Sequence, residues 1–121
     1  MGTTTFLSLL VLLPSLGVGA ATVQAHSRLD HADPAMESSV SPPPNHVTLR
    51  FTERLEPKFS RIEVRSRTGD RMDLGNVNVD GTTMQVKLKV LPAGTYTVLW
   101  RVLSVDTHST KGSYKFHVVG K

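Results

Sequence analysis

Apolar and polar residues alternate along much of this chain with a period of two. Val47, Leu49 and Phe51 alternate with Thr48, Arg50 and Thr52, the pattern of a strand with one face buried. The same phase runs on to Glu53, which places a carboxylate at the end of a core-facing row. Ile62 and Val64 mark a second strand over Phe59 to Ser66, and Thr68-Gly69-Asp70 follows as a hairpin-closing turn, with Arg71 to Val79 returning. Asp80-Gly81 is the next turn, after which Met84, Val86, Leu88 and Val90 alternate with Gln85, Lys87 and Lys89. Beyond the turn Leu91-Pro92-Ala93-Gly94, Thr95 to Ser104 is apolar on both faces, which marks a central strand. The last strand buries Tyr114, Phe116 and Val118 and turns Lys115 and His117 outward.

From His26 to Pro34 the chain reads as an edge strand. Pro34, Pro42-Pro43-Pro44 and the serines between them prevent any long helix before residue 46. About seven short strands with turns at regular spacing and no helix-period stretch predict an all-β fold, a seven-stranded Greek-key sandwich or barrel.

The first 25 residues break this pattern. Phe6 to Leu13 is an apolar run ended by Pro14, followed by small residues and Val23-Gln24-Ala25. That is the layout of a signal peptide, although its first segment carries no Lys or Arg. The run falls short of the roughly 20 apolar residues that span a bilayer. The expected organisation is a cleaved leader over residues 1–25 and one exported domain over 26–121, beginning at His26 and not inserted in the membrane.

Composition narrows the chemistry. The 121-residue chain has no cysteine, which removes disulfides, thiolate metal sites and cysteine nucleophiles. The net charge of +4 lies outside the leader. Arg61, Arg65, Arg67 and Arg71 crowd one predicted hairpin, but Glu63, Asp70 and Asp73 interrupt them. Trp100, Tyr96 and Tyr114 fall on predicted core strands, so no aromatic platform accompanies the basic residues. This reads as a solvated face and not as a nucleic-acid surface.

The candidate chemistry lies at the end of the central strand, in Trp100-Arg101-Val102-Leu103-Ser104-Val105-Asp106-Thr107-His108. If the strand holds that far, Trp100, Val102, Ser104, Asp106 and His108 share one face, with Asp106 and His108 about 7 Å apart and Thr107 pointing away. Two donors make a weak site. A mature terminus at His26 would add two nitrogens, the α-amine and the ring Nδ1, which close a six-membered chelate ring on one metal. Loops gather at the ends of a sandwich, where a free N-terminal segment could bring His26 to Asp106 and His108. Nitrogen and oxygen donors without sulfur, able to lie near a plane, suit Cu(II), with Zn(II) the competitor in a tetrahedron. Cu(I) would want thioethers, and Met36, Met72 and Met84 are widely spaced and expected to fill gaps in the core. His31, His46 and His117 read as surface histidines, and Glu53 is either a solvated rim residue or a carboxylate near the site.

The leader followed by His26, Asp33-Pro34, Leu49-Arg50-Phe51-Thr52-Glu53, Leu91-Pro92-Ala93-Gly94-Thr95-Tyr96, Trp100 through Val105-Asp106-Thr107-His108, and Gly112-Ser113-Tyr114-Lys115-Phe116 follow one another over nearly the whole mature chain. Together they resemble the CopC-like periplasmic copper-binding proteins of bacterial copper resistance and homeostasis. The resemblance implies a cupredoxin-like or immunoglobulin-like β-barrel and one Cu(II) ion per chain, held by His26, Asp106 and His108. It places Glu53 close to the copper without making it a ligand. It further implies a periplasmic carrier or buffer without catalytic residues that delivers copper to an inner-membrane copper transporter; the domain is expected to be a monomer. The chain departs from the better-known resistance members in lacking a Met-rich Cu(I) loop, since Ser66 to Asp73 offers only Met72.

Two other functions stand beside the carrier. Two histidines and a terminal amine around copper also resemble the histidine brace of copper oxygenases that attack polysaccharides. Those enzymes need an open coordination position and a broad substrate surface. The third reading is a metal-free structural or interaction sandwich, because a fold of this kind does not choose its function. The carrier requires a defined first residue, and intact-mass analysis of the exported protein is expected to give a chain that starts at His26; any other start removes the terminal chelate.

Overall fold

The computed structural model of the chain describes Gly2 and residues 28–120. The leader expected over 1–25, apart from Gly2, and His26 lie outside the described residues. Eight strands are present among them: β1 (Leu29–Asp33), β2 (Ser39–Val40), β3 (His46–Phe51), β4 (Arg61–Ser66), β5 (Asp73–Asp80), β6 (Thr83–Leu88), β7 (Gly94–Leu103) and β8 (Ser109–Val118). They form two four-stranded sheets, ordered β1-β3-β6-β5 and β2-β8-β7-β4. The expected all-β sandwich is therefore present. The additional strand is β2, two residues in the proline- and serine-rich stretch that pair in parallel with His117 and Val118 of β8. A pairing of two rungs is too short to leave a periodic trace in sequence.

The alternating rows of β3, β4, β6, β7 and β8 meet between the sheets. Val47, Leu49, Phe51, Ile62, Val64, Met84, Val86, Val98, Val102 and Phe116 are almost fully buried. Each such side chain contributes about 1.5–3 kcal/mol relative to exposure. Edge strand β1 is antiparallel to β3, and β7 lies between β8 and β4, as a strand apolar on both faces should. Tyr114, buried in β8, donates its hydroxyl proton to the Pro34 carbonyl at 2.8 Å, fixing the end of β1 against the other sheet. Burial, aided by the charge of Asp33, pushes its phenol pKa upward, so it remains a donor. Among the described residues no helix is long and apolar enough to cross a membrane.

Four expectations change. The strand beginning at Phe59 starts instead at Arg61, because Pro57–Phe59 form a 3-10 turn that leaves Phe59 60% exposed. Strand β6 stops at Leu88, so Val90 is 91% exposed, and the Lys89 amide turns to the Met72 carbonyl. Strand β3 stops at Phe51; the chain bends at Thr52 and Glu53, and the apolar phase does not reach the carboxylate. Finally, Thr68-Gly69-Asp70 does turn the chain, with Gly69 at φ +90, but it joins β4 and β5 in opposite sheets. The buried carboxylate of Asp73 explains this switch. Its Oδ1 accepts the Val64 amide at 2.9 Å, taking the place of a backbone acceptor on β4, and the chain then pairs with Leu88 of β6.

At the end of the sandwich near the β7–β8 turn, Trp100 lies opposite Gly112 and meets Phe51 edge to face, with ring centroids 5.1 Å apart. A Cβ on Gly112 would overlap Trp100 Cζ2 and stand 2.8 Å from Cε2. Gly112→Ala is therefore expected to expel the indole and destabilise the fold by about 1–3 kcal/mol, as overpacking does. Trp100 is the single tryptophan, so a lower denaturation midpoint should come with red-shifted emission.

Candidate metal centre

Strand β7 ends at Leu103, so Asp106 and His108 do not share a strand face. A tight turn brings them together instead. Leu103 pairs with Ser109, the Ser104 amide donates to the His108 carbonyl at 2.9 Å, and the Thr107 amide donates to the Ser104 carbonyl at 2.9 Å. This is a three-residue hairpin loop whose last position takes the left-handed conformation. That position is Thr107 at φ +74. A β-branched residue is strained there, where glycine would be relaxed. The strained residue separates the two candidate ligands, as backbone strain tends to do at sites.

The turn puts His108 Nδ1 3.2 Å from Asp106 Oδ2, with the side chains 45% and 37% exposed. The other oxygen, Oδ1, accepts the Ser104 hydroxyl proton and the His108 amide at 3.3 Å. Ser104, completely buried, is the residue that sequence reasoning placed on this face without a role. A serine on an otherwise apolar inward row was the available signal. Its hydroxyl first, with the His108 ring and amide, holds the Asp106 carboxyl below the usual carboxylate range, outweighing a partial desolvation that acts the other way. Asp106 is thus an anion aimed at an exposed imidazole. The 3.2 Å separation suits adjacent positions on one ion, since metal bonds of about 2.0–2.2 Å would then enclose an angle of about 100°.

The third wall is the segment after β3. The Val105 amide donates to the Arg54 carbonyl at 2.9 Å, and the Glu56 amide to the Leu103 carbonyl at 2.8 Å. Half-buried Glu53 precedes Arg54 on this segment. On its other side, Thr52 and Arg28 clasp each other: the Thr52 amide donates to the Arg28 carbonyl at 2.9 Å, and the Arg28 amide to the Thr52 hydroxyl at 3.0 Å. Among the described residues no third His, Asp or Glu joins Asp106 and His108 in a group of three able to hold a metal. The other histidines have different settings. His31 is exposed on β1, His46 bonds Asn45 at 2.6 Å, and half-buried His117 bonds Thr95 at 2.9 Å. Met84 is fully buried and Met72 packs against the core, as expected, whereas Met36 is exposed because it lies in the connection between β1 and β2.

The sequence and fold have counterparts among known proteins. Residues 29–119 match the family model of the CopC domain. The chain is 36% identical over 104 residues to protein YobA of Escherichia coli strain K12, covering 80% of this chain and 82% of that one. It is 33% identical over 117 residues to copper resistance protein C of Xanthomonas campestris pv. juglandis, covering 89% and 91%. The crystal structure of CopC from Methylosinus trichosporium OB3b superposes with a TM-score of 0.73 at 32% identity, over 77% of this chain and 93% of that one.

The support from Ser104 can be measured. Ser104→Ala removes the main donor to Asp106, so the carboxyl pKa is expected to rise toward its ordinary value in an NMR titration. In the intact protein a depressed folded-state pKa contributes stability above the unfolded value and loses it as pH falls through the folded one. The alanine variant should therefore lose less stability on acidification, and an unchanged Asp106 titration would assign the shift elsewhere.

Proposed function

The chain belongs to the CopC family of copper resistance proteins, and from that premise we propose that it is a periplasmic Cu(II) carrier or buffer holding one ion with His26, Asp106 and His108. The single observation that carries the reading is the short segment Thr52-Glu53-Arg54, hydrogen-bonded to Arg28 at its first residue and to Val105 at its last. It ties Arg28 to the same short segment that is bonded to the turn bearing Asp106 and His108. His26 is two residues ahead of Arg28, and two extended residues reach about 7 Å. A leader cleaved after Ala25 would leave an α-amine and imidazole within reach of that turn.

With the two nitrogens of His26, one from His108 and an oxygen from Asp106, the donor set is the nitrogen-rich, sulfur-free type that favours Cu(II) over softer ions. Glu53, on the segment between the two clasped points, adds negative charge near the ion without being needed as a ligand. Four protein donors favour holding the metal, and no residue of the set is free to act as a catalytic acid or base. An inner-membrane copper transporter would be the recipient, with the chain acting as a monomer. Met72 and Met84 are turned inward, so the proposal includes no Cu(I) site.

The test is a competition titration with Cu(II) on two purified forms, one starting at His26 and one retaining Ala25. The extra residue converts the α-amine to an amide and leaves the fold intact. Affinity is expected to drop by at least about tenfold in the extended form, and in the His26 form to fall as pH is lowered from about 8 to 5, because copper must displace the amine proton. Equal affinity of the two forms, or binding that ignores pH, would overturn the site.

A further inference from the structure

The outer face of β4, β7 and β8 carries charges that the fold leaves uncompensated. Register sets Arg61 opposite Arg101, and Arg101 opposite Lys111. Alternation turns all three outward, and all three are exposed. Adjacent strands are about 4.8 Å apart, so three positive charges form a row roughly 10 Å long across the sheet. Like charges directly opposite one another destabilise a ladder. The neighbouring arginines are neutralised: Glu63 takes Arg65 at 2.8 Å and Arg71 at 3.6 Å, and Asp73 takes Arg71 at 3.1 Å. Among the described residues, none of Arg61, Arg101 and Lys111 forms an ion pair.

The row borders a groove of about 820 Å³ whose lining includes Lys58, Phe59 and Leu99. Phe59 is 60% and Leu99 38% exposed. Exposed apolar side chains set among cations mark a surface that gains by being covered. From this charge and shape we infer that the face docks an acidic segment of a partner protein, with carboxylates on the Arg61–Arg101–Lys111 row and apolar side chains against Phe59 and Leu99. A flat bilayer surface would not enter a groove, and a nucleic-acid strand would find exposed Phe59 and half-buried Trp100 in the lining but no series of exposed rings. The Arg101–Lys111 rung is two residues from the Leu103–Ser109 rung that closes the turn of Asp106 and His108. A docked segment would therefore lie about 7 Å along the strands from the base of that turn. Its relevance to copper transfer rests on the proposed function; the docking itself does not.

The experiment uses the mature protein and a short fluorescein-labelled peptide of alternating Glu and Leu, followed by anisotropy at about 20 mM and about 150 mM salt. Saturable binding that weakens with salt is expected. The double variant Arg101→Glu, Lys111→Glu should weaken it about tenfold or more, whereas Lys87→Glu with Lys89→Glu, at and just past the end of β6 in the other sheet and matched in charge, should leave it nearly unchanged. Arg61→Gln, a milder change, should weaken binding about threefold and keeps the test valid if the double variant fails to fold. Absence of binding at low salt, equal loss in the two charge-matched variants, or tighter binding to single-stranded DNA or phosphatidylglycerol vesicles would overturn the inference. Copper affinity measured on the same samples separates this result from the proposed function, because neither outcome on the peptide alters the terminal chelate.

Discussion

The β7–β8 hairpin is the constraint on which the rest of the structure depends. Its ladder is unbroken from Gly94 opposite Val118 to Leu103 opposite Ser109, so the position of the closing turn is set by ten consecutive rungs. A turn attached to so long a ladder has little freedom. The geometry of Asp106 and His108 follows from strand pairing, and the strained Thr107 between them is held by the surrounding hydrogen bonds. Ser104 completes this arrangement by presenting a hydroxyl, from a completely buried position, to the carboxylate outside.

Around this hairpin the chain uses polar groups to end strands where they would otherwise continue. Asp73 accepts the Val64 amide and releases the chain to the opposite sheet. The segment after Phe51 leaves its strand and divides its hydrogen bonds between Arg28 on one side and Leu103 and Val105 on the other. Three stretches distant in sequence thus meet at one end of the sandwich. Without a disulfide, their meeting is maintained by backbone hydrogen bonds and by the packing of Phe51 against Trp100.

The proposed metal site and the inferred docking face would use different regions of the same hairpin. The turn offers an anion and an imidazole, suited to a small cation. The outer rungs offer cations beside apolar side chains, suited to an extended anionic segment. The two regions are joined by a few residues of regular strand, which keeps their separation constant. A partner on the outer face would then approach the proposed metal site from a defined side.

The alternation of β3, β6 and β8 was enough to determine a sandwich and most of its core, because a half-buried strand must place its apolar residues two apart. The same pattern identified Asp106 and His108 as neighbours, although the sequence argument relied on a strand that in fact ends at Leu103. Only the tertiary structure decided where strands stop. Val90 and Glu53 continue an apolar or in-phase run, and nothing local to them reveals that Met72 or Arg28 redirects the chain, whereas Phe59 follows Pro57, a local turn signal. It also decided that Thr68-Gly69-Asp70 joins two sheets, since the acceptor that ends the pairing is a side chain from Asp73. The roles of Ser104 and the row of Arg61, Arg101 and Lys111 were hidden for the same reason. The first depends on how the turn after Leu103 folds back on itself, the second on which residues of separate strands stand opposite one another, and register is a property of pairing that a single strand does not carry.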